Sequence, residues 1–155
     1  MGRMYAVTFE NVAVTASQDF FELTPADDKP IILHAVYLSQ STETGDAMEE
    51  MMRVKIIRGH ATSGSGGSAA TPVPLNAADS AAGCAGEVNN TTIASTGTAV
   101  DLHAEAFNVR SGWVYMPTPE CRPVCSQAGV TLVVRLMANP ADSVTMGGTL
   151  IFEEL

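Results

Sequence analysis

The stretch Val130-Thr131-Leu132-Val133-Val134-Arg135-Leu136 places an apolar side chain at every second position. Alternation with a period of two is the pattern of a β-strand that buries one of its faces. The turn residues Asn139-Pro140-Ala141-Asp142 follow this stretch and lead into a second alternating run over residues 144–154. The two runs predict consecutive strands near the end of the sequence.

The same alternation recurs along most of the chain, in short runs bounded by Gly, Pro, Asn and Asp. The further predicted strands cover residues 5–14, with a bulge or bend after Asn11, and residues 19–23, 31–38, 49–58, 91–95, 99–109 and 113–116. About eight strands with hardly any helix predict an all-β fold, an antiparallel β-sandwich of the jelly-roll kind. At 155 residues the chain has the length of one domain, which we expect to span residues 1–155.

Residues 31–38 are apolar on both faces, which predicts a central strand. With residues 49–58 they predict a long-looped hairpin across the polar loop 39–45, although residues 46–52 also suit the start of a helical turn.

Residues 60–90 lose the alternation and are rich in Gly, Ala, Ser and Pro. Within them, residues 76–83 carry a capping Asn, several alanines and a final Gly, which predicts one short helix. Residues 64–69 fit the letters of a dinucleotide-binding loop, but Pro72 and Pro74 exclude the helix that such a site needs. Since loops of this length are functional or pack on a neighbour, we interpret the segment as an interaction arm with a flexible tip.

Composition opposes several classes of partner. Lys and Arg total 8 against 17 Asp and Glu, a formal charge of −9, which disfavours nucleic acids and anionic membranes. No apolar run approaches the ~20 residues of a membrane helix, and the N-terminal residues do not follow the signal-peptide pattern. We therefore expect a cytosolic site of synthesis, with neither nucleic acid nor membrane as partner.

The three cysteines are an odd number for a disulfide framework. Cys121 and Cys125 are separated by three residues, which is not the usual spacing of a zinc site. We expect free structural thiols, and the alternative is a Cys121–Cys125 bridge or a weak metal clip.

Catalysis at neutral pH would require one of His34, His60 and His103 as the base, and none of them lies in a known catalytic motif. His34 is interpreted as a hydrogen-bonded core or edge residue. His103 lies between Asp101 and Glu105 on the expected polar outward face of its strand, as a solvated residue or a weak metal ligand. The sequence predicts no catalytic, cofactor or metal site, and hence a protein that is not an enzyme.

Candidate partner-binding residues are basic, aromatic or aliphatic. Three basic residues on one strand either protect a sheet edge or form a docking face for an acidic partner. Two aromatic residues before a Pro-rich turn serve as interface anchors or as core residues. Two aliphatic residues of the 60–90 segment lack local cover and predict an oligomer, a trimer being expected. The basic residues are Arg53, Lys55 and Arg58, the aromatic residues are Trp113 and Tyr115, and the aliphatic residues are Val73 and Leu75.

Four segments carry a resemblance to a known family: residues 4–9, the turn 24–30, residues 58–67 and the ending 149–155. With its size, acidity and density of strands, the chain resembles the small β-sandwich decoration or cement proteins on the heads of tailed double-stranded DNA bacteriophages. The resemblance implies a jelly-roll-like fold, trimers or other homo-oligomers on capsid symmetry axes and the major capsid protein as partner. It also implies location on the virion surface after synthesis in the host cytoplasm, and a structural role without a cofactor.

Two other functions compete with this one. The first is a carbohydrate- or receptor-binding module of a head or tail fibre, which would expose aromatic side chains on one face; aromatic residues make up only 6% of the chain. The second is an enzyme of the cupin kind, which would need several histidines converging inside a barrel. His34 and His103 are the only histidines predicted on strands, and no His-x-His pair occurs.

Overall fold

The structure, a computed structural model, describes residues 2–42 and 49–155. Loop residues 43–45 and the first part of the proposed helical turn, residues 46–48, lie outside the described residues. The described strands are β1 (Arg3–Val14), β2 (Asp19–Thr24), β3 (Ile31–Gln40), β4 (Met51–His60), β5 (Ser68–Ala69), β6 (Val73–Pro74), β7 (Ala85–Asn90), β8 (Val100–Asn108), β9 (Trp113–Tyr115), β10 (Val124–Cys125), β11 (Thr131–Leu136) and β12 (Val144–Glu154). A single 3₁₀ turn covers Pro119–Cys121, and no α-helix occurs in the part of the chain that the structure describes.

The strands form two antiparallel sheets of six. The first sheet has the order β10-β3-β12-β1-β6, with β9 also pairing with β3, and the second has the order β5-β7-β2-β11-β4-β8. The predicted all-β sandwich is therefore confirmed. Eight of the described strands have six or more residues, and seven of these coincide with predicted strands, β7 being the exception; the other four described strands have two or three residues.

Side chains from both sheets fill the space between them. The ring of Phe9 on β1 lies 6.1 Å from that of Phe20 and 5.2 Å from that of Phe21, both on β2. Leu132 and Leu136 of β11 are fully buried, as their alternation predicted. Each such side chain contributes about 1.5–3 kcal/mol through removal from water, so this layer supplies the main stabilisation of the sandwich.

Several local predictions are confirmed. The register of β1 against β12 shifts between Phe9 and Val12, where Asn11 has a φ of 53°, so the strand does contain a bulge. Strand β3 is an interior strand, as its two apolar faces predicted. The order β1-β12-β3-β9 opposite β2-β11-β4-β8 favours the jelly-roll connection, which stays a prediction.

The predicted hairpin of residues 31–38 and 49–58 is wrong, because β3 lies in the first sheet and β4 in the second. Strand β4 is also not an edge strand, since β11 and β8 flank it, so its basic residues do not protect a sheet edge. Residues 91–95 are not a strand either. They make only isolated bridges, Thr92 with Ser65 and Ser95 with Thr62.

The segment 60–90 is more ordered than its composition suggested. It includes the end of β4, the short strands β5 and β6, and all of β7, which pairs with β2. The predicted helix over residues 76–83 is wrong: the Asn76 side chain accepts a hydrogen bond from the Ala78 amide at 3.1 Å and closes a turn. An eight-residue helix is too short to be stable alone. The Leu75 amide is already held by the Met4 carbonyl, at 2.9 Å.

Candidate interaction surfaces

Two loops, residues 61–67 and 91–99, cover the outer face of the second sheet. They run antiparallel to each other, with the Thr62 amide 2.9 Å from the Ser95 carbonyl and the Ser65 amide 2.9 Å from the Thr92 carbonyl. Beneath them Glu22 accepts a hydrogen bond from the Gly64 amide at 3.0 Å. We call these loops the covering layer.

A buried ion pair fixes the second loop of the covering layer. The Arg135 Nε atom lies 2.5 Å from Asp19 Oδ1, and its Nη2 atom donates to Asp19 Oδ2 at 3.1 Å and to the Ala94 carbonyl at 2.8 Å. The Ala94 amide in turn donates to Asp19 Oδ2 at 2.8 Å. The Asp19 carboxylate and the Arg135 guanidinium are thus both partnered, which buried charges require.

The glycines of the predicted flexible tip, residues 64–69, lie in close contact with neighbouring backbone. A Cβ atom on Gly67 would lie 2.1 Å from the Val88 carbonyl oxygen, and one on Gly64 would lie 2.5 Å from that of Thr92. Glycine is needed here so that the two backbones can approach, rather than for mobility. The segment packs on its own sheet instead of extending as an arm.

The outer face of the first sheet is open by comparison. In the second sheet the outward side chains Val133 and Ile57 are 0% and 4% exposed, whereas Val114 of the first sheet is 60% exposed. Strand registers arrange the outward residues of the first sheet in rows, and all of them except Ala35 are exposed or half-buried. The rows are Val73, Ala6, Ile151 and Ala35; Thr8, Thr149, Tyr37 and Val114; and Met4, Glu153, Ile32 and Val124.

The first two of these rows carry no charged side chain, in a protein with a formal charge of −9. We call them the uncharged rows. Glu153 of the third row is engaged by His34, whose Nε2 lies 2.9 Å from its Oε2. The hydrogen bond predicted for His34 is present, but the residue is half-buried on the interior strand β3 and lies neither in the core nor at a sheet edge. Burial raises the pKa of Glu153, but the Gly2 amide and His34 together hold that pKa below its ordinary value.

A depression of about 680 Å³ lies at one end of the uncharged rows. Its floor is formed by glycine backbone at Gly147 and Gly148, and its walls include Tyr37, Glu10 and Ser39. Hydroxyl groups, one carboxylate and the aromatic residues Phe9 and Tyr37 therefore border a shallow, open space. We call it the glycine trough.

Trp113 and Tyr115 do not form an exposed interface. Trp113 is buried, and its indole Nε1 donates to Glu105 Oε2 at 2.9 Å; His103 Nε2 lies 2.9 Å from the same oxygen. The His103 ring is 4.6 Å from that of half-buried Tyr115. These hydrogen bonds, that of Trp113 foremost, lower the pKa of Glu105.

His103 and Glu105 of β8 therefore face the other sheet, and the prediction of a polar outward face is wrong for these two residues. Asp101, the register partner of outward Ile57 and the ion-pair partner of Lys55, does point outward. A bulge causes the reversal: the register of β4 with β8 shifts between Ile56 and Ile57, which adds Leu102 on the β8 side. The outward residues of β8 beyond this bulge are Ala104 and Ala106.

The three basic residues of β4 do not share one face. Arg53 and Lys55 point outward beside Ala106 and Ala104, which are their register partners on β8. Arg58 instead reaches the first sheet, where its Nη1 atom donates to the Val124 carbonyl at 2.7 Å. The proposed docking face of β4 is thus reduced to two cations.

Val73 and Leu75 lie on or beside β6 at the edge of the first sheet, and both side chains are exposed. Val73 pairs with Ala6 and so extends one of the uncharged rows. Sequence reasoning identified this residue but not the rest of that face, although the alternation of β1 already placed Ala6 and Thr8 opposite the buried Tyr5 and Val7.

The cysteines and His60 lie in surroundings that do not resemble a reactive or metal-binding site. Cys84, Cys121 and Cys125 are free, and burial raises the pKa of Cys84 to about 12 and also raises that of Cys125. His60 Nδ1 lies 3.3 Å from the Thr96 carbonyl. Within residues 2–42 and 49–155 no group of three metal-ligating side chains converges, and no helix there is long and apolar enough to cross a membrane.

No family model, curated protein or solved structure matches this chain. Function is therefore inferred from the surfaces described above. Two of them stand out by their exposure and chemistry, the uncharged rows with the glycine trough and the pair of cations on β4.

Proposed function

We propose that this chain is a structural protein without enzymatic activity, which attaches to a larger protein assembly through the uncharged rows. The observation that carries the proposal is the absence of charge from these eight positions, while the protein as a whole carries −9. The cores of protein interfaces are depleted of charged residues in the same way, because each buried charge must be desolvated.

The resemblance to phage decoration proteins suggests that this assembly is the phage head. On this proposal the partner is the major capsid protein, the chain binds the outside of the head as a trimer with a jelly-roll fold, and it reaches the virion after synthesis in the host cytoplasm. A protein that binds the assembled shell but not its free subunits stabilises the shell by about 2.7 kcal/mol per site at a hundredfold excess over its Kd.

The test is a rescue experiment on capsids that lack the chain. Such capsids should assemble with normal geometry, lose DNA at a lower temperature or under osmotic stress, and recover when purified protein is added. Val114→Glu should abolish the recovery, since it places a charge among the uncharged rows without disturbing the core.

Ile93→Glu is the matched control. Ile93 lies in the covering layer on the opposite side of the sandwich and is 39% exposed. This variant should rescue as well as the original chain does. Equal rescue by Val114→Glu would show that another surface binds, and stripped capsids as robust as complete ones would refute the cement function.

Oligomeric state is a separate test of the same proposal. Light scattering should report a trimer, because Val73 and Leu75 leave apolar surface at the edge of the first sheet. A monomer at high concentration in solution and also on the capsid would contradict this expectation.

The glycine trough supports a second candidate function, carbohydrate binding by a head or tail-fibre module. Sugars are bound through hydroxyl and carboxylate groups beside an aromatic ring, and Tyr37, Ser39 and Glu10 offer these groups. A glycan array should then give hits that Tyr37→Ala removes and Ile93→Glu keeps. An array without hits, together with successful capsid rescue, would favour the first function.

A further inference from the structure

Strand β8 forms one edge of the second sheet. It has nine residues and, among the described strands, pairs only with β4. One side of its backbone therefore offers amide and carbonyl groups that no strand of the described chain satisfies. The covering layer rests on Val133 and Ile57 nearer the middle of the sheet, while Ala104 and Ala106 of β8 remain exposed.

Small side chains on β8 stand opposite long cations on β4. Arg53 pairs with Ala106 and Lys55 with Ala104, and together with Met137 they surround a hollow of about 360 Å³. Alanine leaves room for an arginine or lysine side chain to extend across β8 toward the free edge. A strand added there would lie about 10 Å from β4, a gap that one of these side chains and a glutamate can bridge between them.

Arg53 and Lys55 differ from the buried Arg135 in how they are partnered. Of the 8 Lys and Arg residues, Arg135 is buried against Asp19. Arg53, in contrast, makes no ion pair within the described residues, and Lys55 pairs only with Asp101, which is half exposed. The two cations lie side by side on an acidic protein, with Asp101 beside Lys55 and Glu105 also lining the hollow, so the Arg53 guanidinium is the group that best suits an added carboxylate.

We infer that β8 accepts an extended acidic segment of a partner protein as an additional strand, with carboxylates on alternate residues beside Arg53 and Lys55. Side chains of an extended segment alternate between faces, so two carboxylates two residues apart match the spacing of the two cations. The inward face of β8 is occupied, because His103 and Glu105 contact the first sheet. This site lies on the other sheet from the uncharged rows and does not depend on the proposed function.

The experiment uses a seven-residue probe peptide in which Glu alternates with Val, titrated into the full chain and followed by calorimetry and hydrogen exchange. We expect binding that weakens with salt and that protects amides of β8. Replacing the peptide's Glu by Gln, or Arg53 and Lys55 by Gln, should weaken binding about tenfold, as two partly exposed ion pairs are lost. Arg3→Gln, a control that removes one positive charge at a distant exposed site, should bind as the original chain does.

Three results would overturn the inference. The first is equal binding of a peptide that carries Lys in place of Glu. The second is unchanged binding in the Arg53→Gln/Lys55→Gln variant. The third is protection of β8 amides that rises with protein concentration in the absence of peptide, since a second copy of the chain would then occupy the edge. The peptide series uses the unaltered protein, so it remains decisive even if a variant folds poorly.

Discussion

Arg135 offers the sharpest test of how the covering layer is held. Its side chain is 9% exposed and that of Asp19 is 0% exposed, and the two share hydrogen bonds with both backbone groups of Ala94. Replacing Arg135 by Met keeps most of the side-chain volume but leaves a buried carboxylate without its cation. Removing one partner of such a pair costs about 3–5 kcal/mol.

For a domain of this size each kcal/mol shifts Tm by about 2–4 °C, so Arg135→Met should melt about 6–20 °C below the original chain. Urea unfolding followed by fluorescence and by circular dichroism gives the free energy directly and tests for two-state behaviour. Hydrogen exchange should show the Ala94 amide losing protection before the core strands do.

The double variant Asp19→Asn/Arg135→Met distinguishes the stability lost through an uncompensated charge from the stability lost through altered packing. Asn retains an oxygen that accepts from the Ala94 amide, and no uncompensated charge remains. The double variant should therefore recover at least half of the stability that Arg135→Met loses. A double variant as unstable as the sum of its two single changes would refute the reasoning, since uncoupled residues add.

Three further predictions follow from local geometry. Gly64→Ala should destabilise the protein by about 1–3 kcal/mol in urea unfolding, because its Cβ would meet the Thr92 carbonyl at 2.5 Å; a neutral result would contradict the close packing of the covering layer. In the native protein at pH 8, iodoacetamide should label exposed Cys121 and spare Cys84, whose pKa is raised to about 12, as read by mass spectrometry; equal labelling would refute its burial. Since the pKa of Glu105 is lowered in the folded state, its ionisation stabilises the protein above the ordinary value of 4.5 and ceases to do so as the pH falls through the lowered one. The Tm difference between the original chain and Glu105→Gln should therefore shrink on acidification, and a constant difference would count against this link.

The sequence was a good guide wherever one face of a strand is buried by the sandwich itself. In β11 and β12 the apolar residues recur at every second position, because alternate side chains point to the same face. Strand β7 escaped notice because Ala85-Gly86-Glu87-Val88-Asn89-Asn90 contains residues that strands disfavour. It is held by its pairing with β2, which no local pattern reveals.

Two predictions, the flexibility of residues 64–69 and the outward face of β8, were misled by contacts between segments distant in the sequence. The glycines at positions 64, 66 and 67 suggested flexibility by composition, yet they allow a close approach between backbones. On β8 the alternation identified the strand but not which face is outward. That choice depends on a bulge at Leu102 and on the Trp113 indole, which needs an acceptor when buried and finds it in Glu105.

The pairing of β1 with β12 has a consequence for the order in which the molecule forms. These two strands run side by side from Arg3 with Glu154 to Val14 with Val144, in the middle of the first sheet. Contacts between residues so far apart in the chain form late, because a long loop must close before they gain any energy. During synthesis β1 therefore pairs with β12 only after β12 has left the ribosome, and refolding from urea should be slow, on the order of milliseconds to seconds.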